Sequence, residues 1–142
     1  MLGVLVACVL IAAICGCGSA KGPALAKVRG LVTLDGLPLT KGSVEFTPDS
    51  SQGTRGRMAI GAIQPDGTFD LTTFKSGDGA IVGCHTVAIV CNDYRPTDPR
   101  NADSFQTVVP LIPARYTDGK TSGLGVEVKQ GVRNEFAFEL KR

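Results

Sequence analysis

The sequence predicts an all-β domain, read as a seven-stranded β-sandwich, behind a short apolar leader. Three observations carry this. From Lys27 onward, apolar and polar residues alternate with period two in one short segment after another, the spacing of strands with one buried face. The 142 residues include 18 Gly and 8 Pro, many of them placed between those segments as turn punctuation. No segment beyond the leader sustains the period of an amphipathic helix.

Val28, Gly30, Val32 and Leu34 alternate in the first segment, and Asp35-Gly36 closes it with a hairpin-type turn. Val44 and Phe46 mark the second, ahead of Pro48. The third runs from Arg57 to Gln64 and ends at Pro65-Asp66-Gly67, where Pro presets φ and Gly supplies a positive one. Phe69 and Leu71 form the fourth. In the fifth, after Gly83, residues His85, Val87, Ile89 and Cys91 share one face. Leu124, Val126 and Val128 alternate in the sixth. A turn at Gln130-Gly131 then leads to Phe136, Phe138 and Leu140, the clearest alternation in the chain. Seven short strands joined by turns fit a sandwich rather than a helical or nucleotide-binding α/β domain.

The longest stretch without a pattern runs from Asn92 to about Gly123 and holds Pro96, Pro99, Pro110 and Pro113. Long irregular loops are uncommon and are functional or mobile, so a working surface is expected here, with Tyr94, Arg115 and Tyr116 as its candidate residues. For Arg115 and Tyr116 the competing expectation is that the pair packs its apolar parts on a neighbouring strand.

The leader, Leu2 to Ile14, is almost wholly apolar, and the first charged side chain is Lys21. A membrane span needs about 20 apolar residues, whereas a signal-peptide core needs about 7 to 15 followed by small residues. A signal peptide is therefore expected over residues 1–16, with a buried N-terminal helix or strand as the competing reading. No Lys or Arg precedes the run, which leaves the amino group of Met1, or residues upstream of it, to supply positive charge. The stretch Ile14-Cys15-Gly16-Cys17-Gly18-Ser19 resembles the bacterial lipobox, with an aliphatic residue at −3 and a small one at −1 from the modified cysteine. Cys17 satisfies both positions, whereas Cys15 would set the bulky Ile14 at −1. The resemblance implies a diacylglycerol thioether at Cys17, cleavage before it and often acylation of the new amino group. Residues 17–26 then read as a lipidated tether and 27–142 as the domain. An ordinary cleaved signal with incidental cysteines is the alternative.

About 126 residues remain after the leader, enough to bury about two thirds of the unfolded surface around one core. The net charge of +2, with both signs interspersed, excludes a nucleic-acid-binding or polybasic membrane surface. Cys84 and Cys91 would lie about 23 Å apart on one extended strand, on opposite faces. That is far beyond disulfide reach, so both are expected as packed free thiols.

Few residues suit catalysis. A serine-type triad needs a base, and His85 is the one histidine. Its phase with Val87 and Ile89 predicts a structural ring packed inward or at the sandwich edge, with a catalytic or ligand role as the lesser alternative. His85, Cys84 and Cys91 alternate faces and give no zinc cluster. Gly77-Asp78-Gly79-Ala80-Ile81-Val82-Gly83 lacks dinucleotide spacing, and Asp66, Asp78 and Asp118 each precede a glycine as turn residues do. No enzyme, cofactor or metal site is expected.

Val28-Arg-Gly-Leu-Val-Thr-Leu-Asp-Gly-Leu-Pro-Leu39, Gly42-Ser-Val-Glu-Phe46 and Pro65-Asp-Gly-Thr-Phe69 resemble the opening of a carboxypeptidase-regulatory-like, or transthyretin-like, domain. Thr73-Phe-Lys-Ser-Gly-Asp-Gly-Ala80 and Ile112-Pro-Ala-Arg-Tyr-Thr-Asp-Gly-Lys-Thr-Ser-Gly-Leu124 resemble segments of small bacterial lipoproteins built on it. Cys84-His85 stands where that family tends to place Glu-Tyr. The resemblance implies a Greek-key sandwich over most of residues 27–141. It carries no peptidase activity, because fold alone does not give function. The expected function is a noncatalytic, lipid-anchored envelope or surface domain that scaffolds or binds another macromolecule, whether an envelope protein or a polysaccharide. A carbohydrate-binding module is the alternative, and an accessory subunit of a secreted hydrolase a further one. Gly18 lacks the Asp that, in related signals, retains lipoproteins at the inner membrane, which favours the outer one.

Overall fold

The computed structural model describes residues 22–101 and 103–142; the expected signal peptide and Cys17 lie outside them. The fold is all-β, with no helix of seven or more residues among the described residues. In chain order the strands are β1 (Leu25–Ala26), β2 (Val28–Leu34), β3 (Leu37–Pro38), β4 (Ser43–Pro48), β5 (Ala59–Ala62), β6 (Thr68–Asp70), β7 (Ala80–Ile81), β8 (Gly83–Val90), β9 (Asn92–Pro96), β10 (Gln106–Pro110), β11 (Gly125–Val128) and β12 (Asn134–Leu140). Each of the seven expected segments overlaps one of them, but the count of seven falls short: β1, β3, β7, β9 and β10 were not expected. The third shrinks to Ala59–Ala62.

Two larger sheets hold the core. One has the order β11-β8-β4-β5, antiparallel throughout. The other is centred on β2, which pairs in parallel with β12 from Val28↔Asn134 to Leu34↔Leu140. The opposite edge of β2 is shared: β6 pairs with Arg29–Leu31 and β3 with Thr33–Leu34. The period-two pattern decides which residues turn inward. Val28, Val32 and Leu34 on β2, Val44 and Phe46 on β4, and His85, Val87 and Ile89 on β8 are all buried. The inner faces meet at Phe46, whose ring centroid lies 6.5 Å from Phe69, 5.8 Å from Phe136 and 6.1 Å from Phe138. These are the separations of aromatic pairs that add to simple burial.

The expected turns form for the reasons their residues give. Asp35 and Gly36 both take positive φ, 51° and 85°, as the twist of a two-residue hairpin requires. At Pro65-Asp66-Gly67, the Asp66 carboxylate accepts the Thr68 backbone N–H at 3.0 Å and its hydroxyl at 2.6 Å.

Two boundaries differ from expectation. Leu25 and Ala26, assigned above to the tether, are a strand: β1 pairs with β7, and Val82 donates its N–H to the Ala24 carbonyl at 2.9 Å. The stretch from Asn92 to Gly123 is not irregular either. It contains the hairpin β9–β10, paired from Asn92↔Pro110 to Pro96↔Gln106, and a 3-10 turn at Ala114–Thr117. Two of its four prolines, Pro96 and Pro110, misled because they fall at ladder ends. There, a missing N–H breaks no hydrogen bond.

Candidate functional site

Of the expected surface residues, Arg115 and Tyr116 come together but are turned to structural use. Both sit on the 3-10 turn. Tyr116 is buried, and its hydroxyl accepts the Lys141 backbone N–H at 3.1 Å and an Arg115 Nη2 hydrogen at 3.0 Å. Those donors, Lys141 first and Arg115 second, favour the phenolate and hold the hydroxyl below its ordinary pKa of 10. The Arg115 guanidinium stacks over the same ring, 4.5 Å from its centroid, and also donates to the Lys141 carbonyl. The pair fastens the turn to the end of β12.

Tyr94 lies elsewhere. It projects from β9 with its side chain exposed, opposite Val108 on β10. Among the described residues no hydrogen bond or ring contact joins it to Arg115 or Tyr116. Val108 shares its face of the hairpin, whereas Phe105, 93% exposed, lies on the opposite face across from Thr97; the sequence alone singled out neither. The signal was present in Phe105-Gln-Thr-Val-Val109, an uncharged run rich in strand formers. On the other face of the hairpin, Asp93 accepts from Lys41 at 3.2 Å. That contact first, then the Tyr94 backbone N–H donated to the same oxygen at 3.1 Å, hold the carboxylate below its ordinary range.

Of the titratable residues on and just after β8, His85 and Cys91 are buried and Cys84 is half-buried. His85 is 2% exposed and packs 5.8 Å from the Phe46 ring. Its Nδ1 lies 3.1 Å from the Gly83 carbonyl oxygen, and its Nε2 is buried with no hydrogen-bond partner among the described residues. Burial lowers its pKa below 6.5, against a smaller opposing effect of the Gly83 contact, so the ring is neutral at pH 7. Among the described residues, Cys84 and Cys91 are free thiols. Cys91 is buried, which pushes its pKa up and keeps it from acting as a thiolate.

One open cleft of about 420 Å³ lies along β2, β6 and β12. The strand register sets Asp70, Arg29 and Glu135 side by side across it, with Leu31 and Ala137 in the next row. Arg29 reaches Asp70 at 3.0 Å, and both side chains are well exposed, so the ion pair contributes little to stability. The cleft presents two carboxylates around one guanidinium over a small apolar floor. Among the described residues, no three His, Cys, Asp or Glu side chains converge as metal ligands would. No helix there is long and apolar enough to cross a membrane.

No family model, curated protein or solved structure matches this chain.

Proposed function

We propose that the chain is a bacterial envelope lipoprotein, anchored through Cys17, whose β domain is a noncatalytic scaffolding or macromolecule-binding module. The observation that carries this reading is the junction in the sequence. The apolar run Leu2–Ile14 ends on Ile14-Cys15-Gly16-Cys17, and a short polar stretch leads directly to β1. Two or more acyl chains on such a cysteine give stable anchoring, at about 0.8 kcal/mol per buried methylene. Gly18 favours the outer membrane.

The domain itself we read as a transthyretin-like, carboxypeptidase-regulatory-like Greek-key sandwich. Supporting this are the two sheets meeting at Phe46 and the turn residues at Asp35-Gly36 and Pro65-Asp66-Gly67. With Tyr116 in structural use, the hairpin bearing Tyr94 is the better binding surface. A second reading, a carbohydrate-binding module, is favoured by the exposed Tyr94 ring, since an exposed aromatic face suits stacking on sugars.

The deciding experiment is an intact mass of the mature protein from the membrane fraction, beside Cys17→Ser. The reading expects a chain beginning at Cys17 with diacylglycerol and acyl mass, lost in the variant. An unmodified chain, or one cut elsewhere, overturns it. Glycan-array binding by the folded domain, abolished in Tyr94→Ala, would favour the second reading.

A further inference from the structure

The edge of β10 differs from the other open edges of the fold. Strand β12 carries Glu135 and Glu139, β11 carries Glu127, β9 carries Asp93 and Arg95, and β5 is bridged at Ile60↔Thr72. Charges of this kind discourage strand addition. Gln106–Pro110 has none, and it is the longest uncharged strand with an unpaired edge among the described residues. Its hydrogen-bonding phase follows from the two bonds that flank the ladder, Leu111 N–H to the Cys91 carbonyl and Thr97 N–H to the Phe105 carbonyl. By the alternation of an antiparallel pair, Arg95↔Thr107 and Asp93↔Val109 exchange bonds within the hairpin. The N–H and C=O groups of Gln106 and Val108 therefore point away from β9, into open space.

We propose that β10 pairs with β10 of a second copy of this chain, antiparallel about a two-fold axis at Thr107, so that two hairpins become one four-stranded sheet. The register is self-complementary. Gln106 exchanges both hydrogen bonds with Val108 of the second copy, and the symmetric exchange follows automatically. Facing strands without charge meet no repulsion. The same register places Phe105, 93% exposed in the single chain, directly across from Val109 of the second copy, a close non-hydrogen-bonded position favourable to an aromatic and a β-branched side chain. A two-stranded hairpin standing alone is marginal, and a third and fourth strand support it. The inference is independent of the lipid anchor.

At the axis the two Thr107 α-carbons are about 4.5 Å apart, within the range of a disulfide. The test oxidises the full chain carrying Thr107→Cys, purified in detergent, and reads dimer on a non-reducing gel. Comparison is with the native chain and with Asn101→Cys in the hairpin loop, which is far from the axis. Most Thr107→Cys chain is expected to run as a covalent dimer, with both comparisons staying largely monomeric. Adding Val108→Pro removes one outward N–H and no bond to β9, so the dimer is lost while circular dichroism stays native. Cross-linking of Thr107→Cys no greater than that of Asn101→Cys overturns the proposal. So does a dimer indifferent to Val108→Pro.

Discussion

His85 directs Nδ1 at the Gly83 carbonyl 3.1 Å away and leaves Nε2 buried with no partner among the described residues. The ring is therefore held neutral by its surroundings, and protonating it would place an unpaired charge beside Phe46. The folded pKa lies below the ordinary 6.5, so the unfolded chain binds this proton more readily than the folded one. Stability from this group is complete above pH 6.5 and declines as pH falls toward the folded pKa, at up to about 1.4 kcal/mol per unit. Urea midpoints between pH 7.5 and 4.5 should show that decline. His85→Leu, nearly volume-conserving, should remove its portion of the slope; an unchanged slope would refute the assignment.

Asp78 is the keystone of the loop after β6. Its carboxylate accepts the backbone N–H groups of Thr73, Phe74 and Lys75 at 2.7, 2.9 and 2.8 Å. Desolvation raises its pKa, but those donors together outweigh it and the net shift is downward. Asp78→Asn would turn an amide NH₂ toward one set of donors. A loss of roughly 1–3 kcal/mol is expected from equilibrium unfolding, and a change within experimental error would show that the loop holds itself.

Gly30 should tolerate no side chain. A Cβ there would sit 2.2 Å from the Phe136 carbonyl oxygen and 2.6 Å from the Phe69 ring, and the first neighbour is backbone, which cannot rotate away. Gly30→Ala is expected to cost about 1–3 kcal/mol by overpacking. Gly36→Ala meets nothing within 4 Å and bears only the strain of a positive φ, about 1 kcal/mol. Thermal unfolding of the two variants should rank them in that order, and the reverse ranking would contradict the inward placement of Gly30.

Tyr116→Phe deletes the acceptor for Lys141 N–H and for Arg115. About 1 kcal/mol of stability should be lost, with faster hydrogen exchange at Lys141 as the local signature. If Arg115 and Tyr116 instead serve a ligand, exchange at Lys141 will not change.

What the sequence revealed and what it hid divide by range. The inward face of β8, the Asp35-Gly36 hairpin and the burial of His85 were legible because each depends on neighbours a few residues away. Strands β1, β3 and β7 have two residues each, too few to show any period, and exist through pairing alone. Hairpin β9–β10 was hidden by proline, since Pro96 and Pro110 occupy the ladder positions whose backbone faces outward. For Arg115 and Tyr116 the packed pair was among the expectations, but its anchor was hidden: Lys141 is remote in sequence, and only the fold brings it near.

The parallel register of β2 with β12 governs the order of assembly. Residues 28–34 cannot complete their sheet until residues 134–140 are at hand, so closing this ladder encloses almost the whole domain in one loop. Such distant closure makes folding slow relative to local hairpins. A chain delivered residue by residue, from a ribosome or through a translocation pore, would hold β2 half-paired until its last strand arrived. Deleting residues 134–140 should therefore leave a chain that never reaches the native state, rather than a native domain lacking one edge.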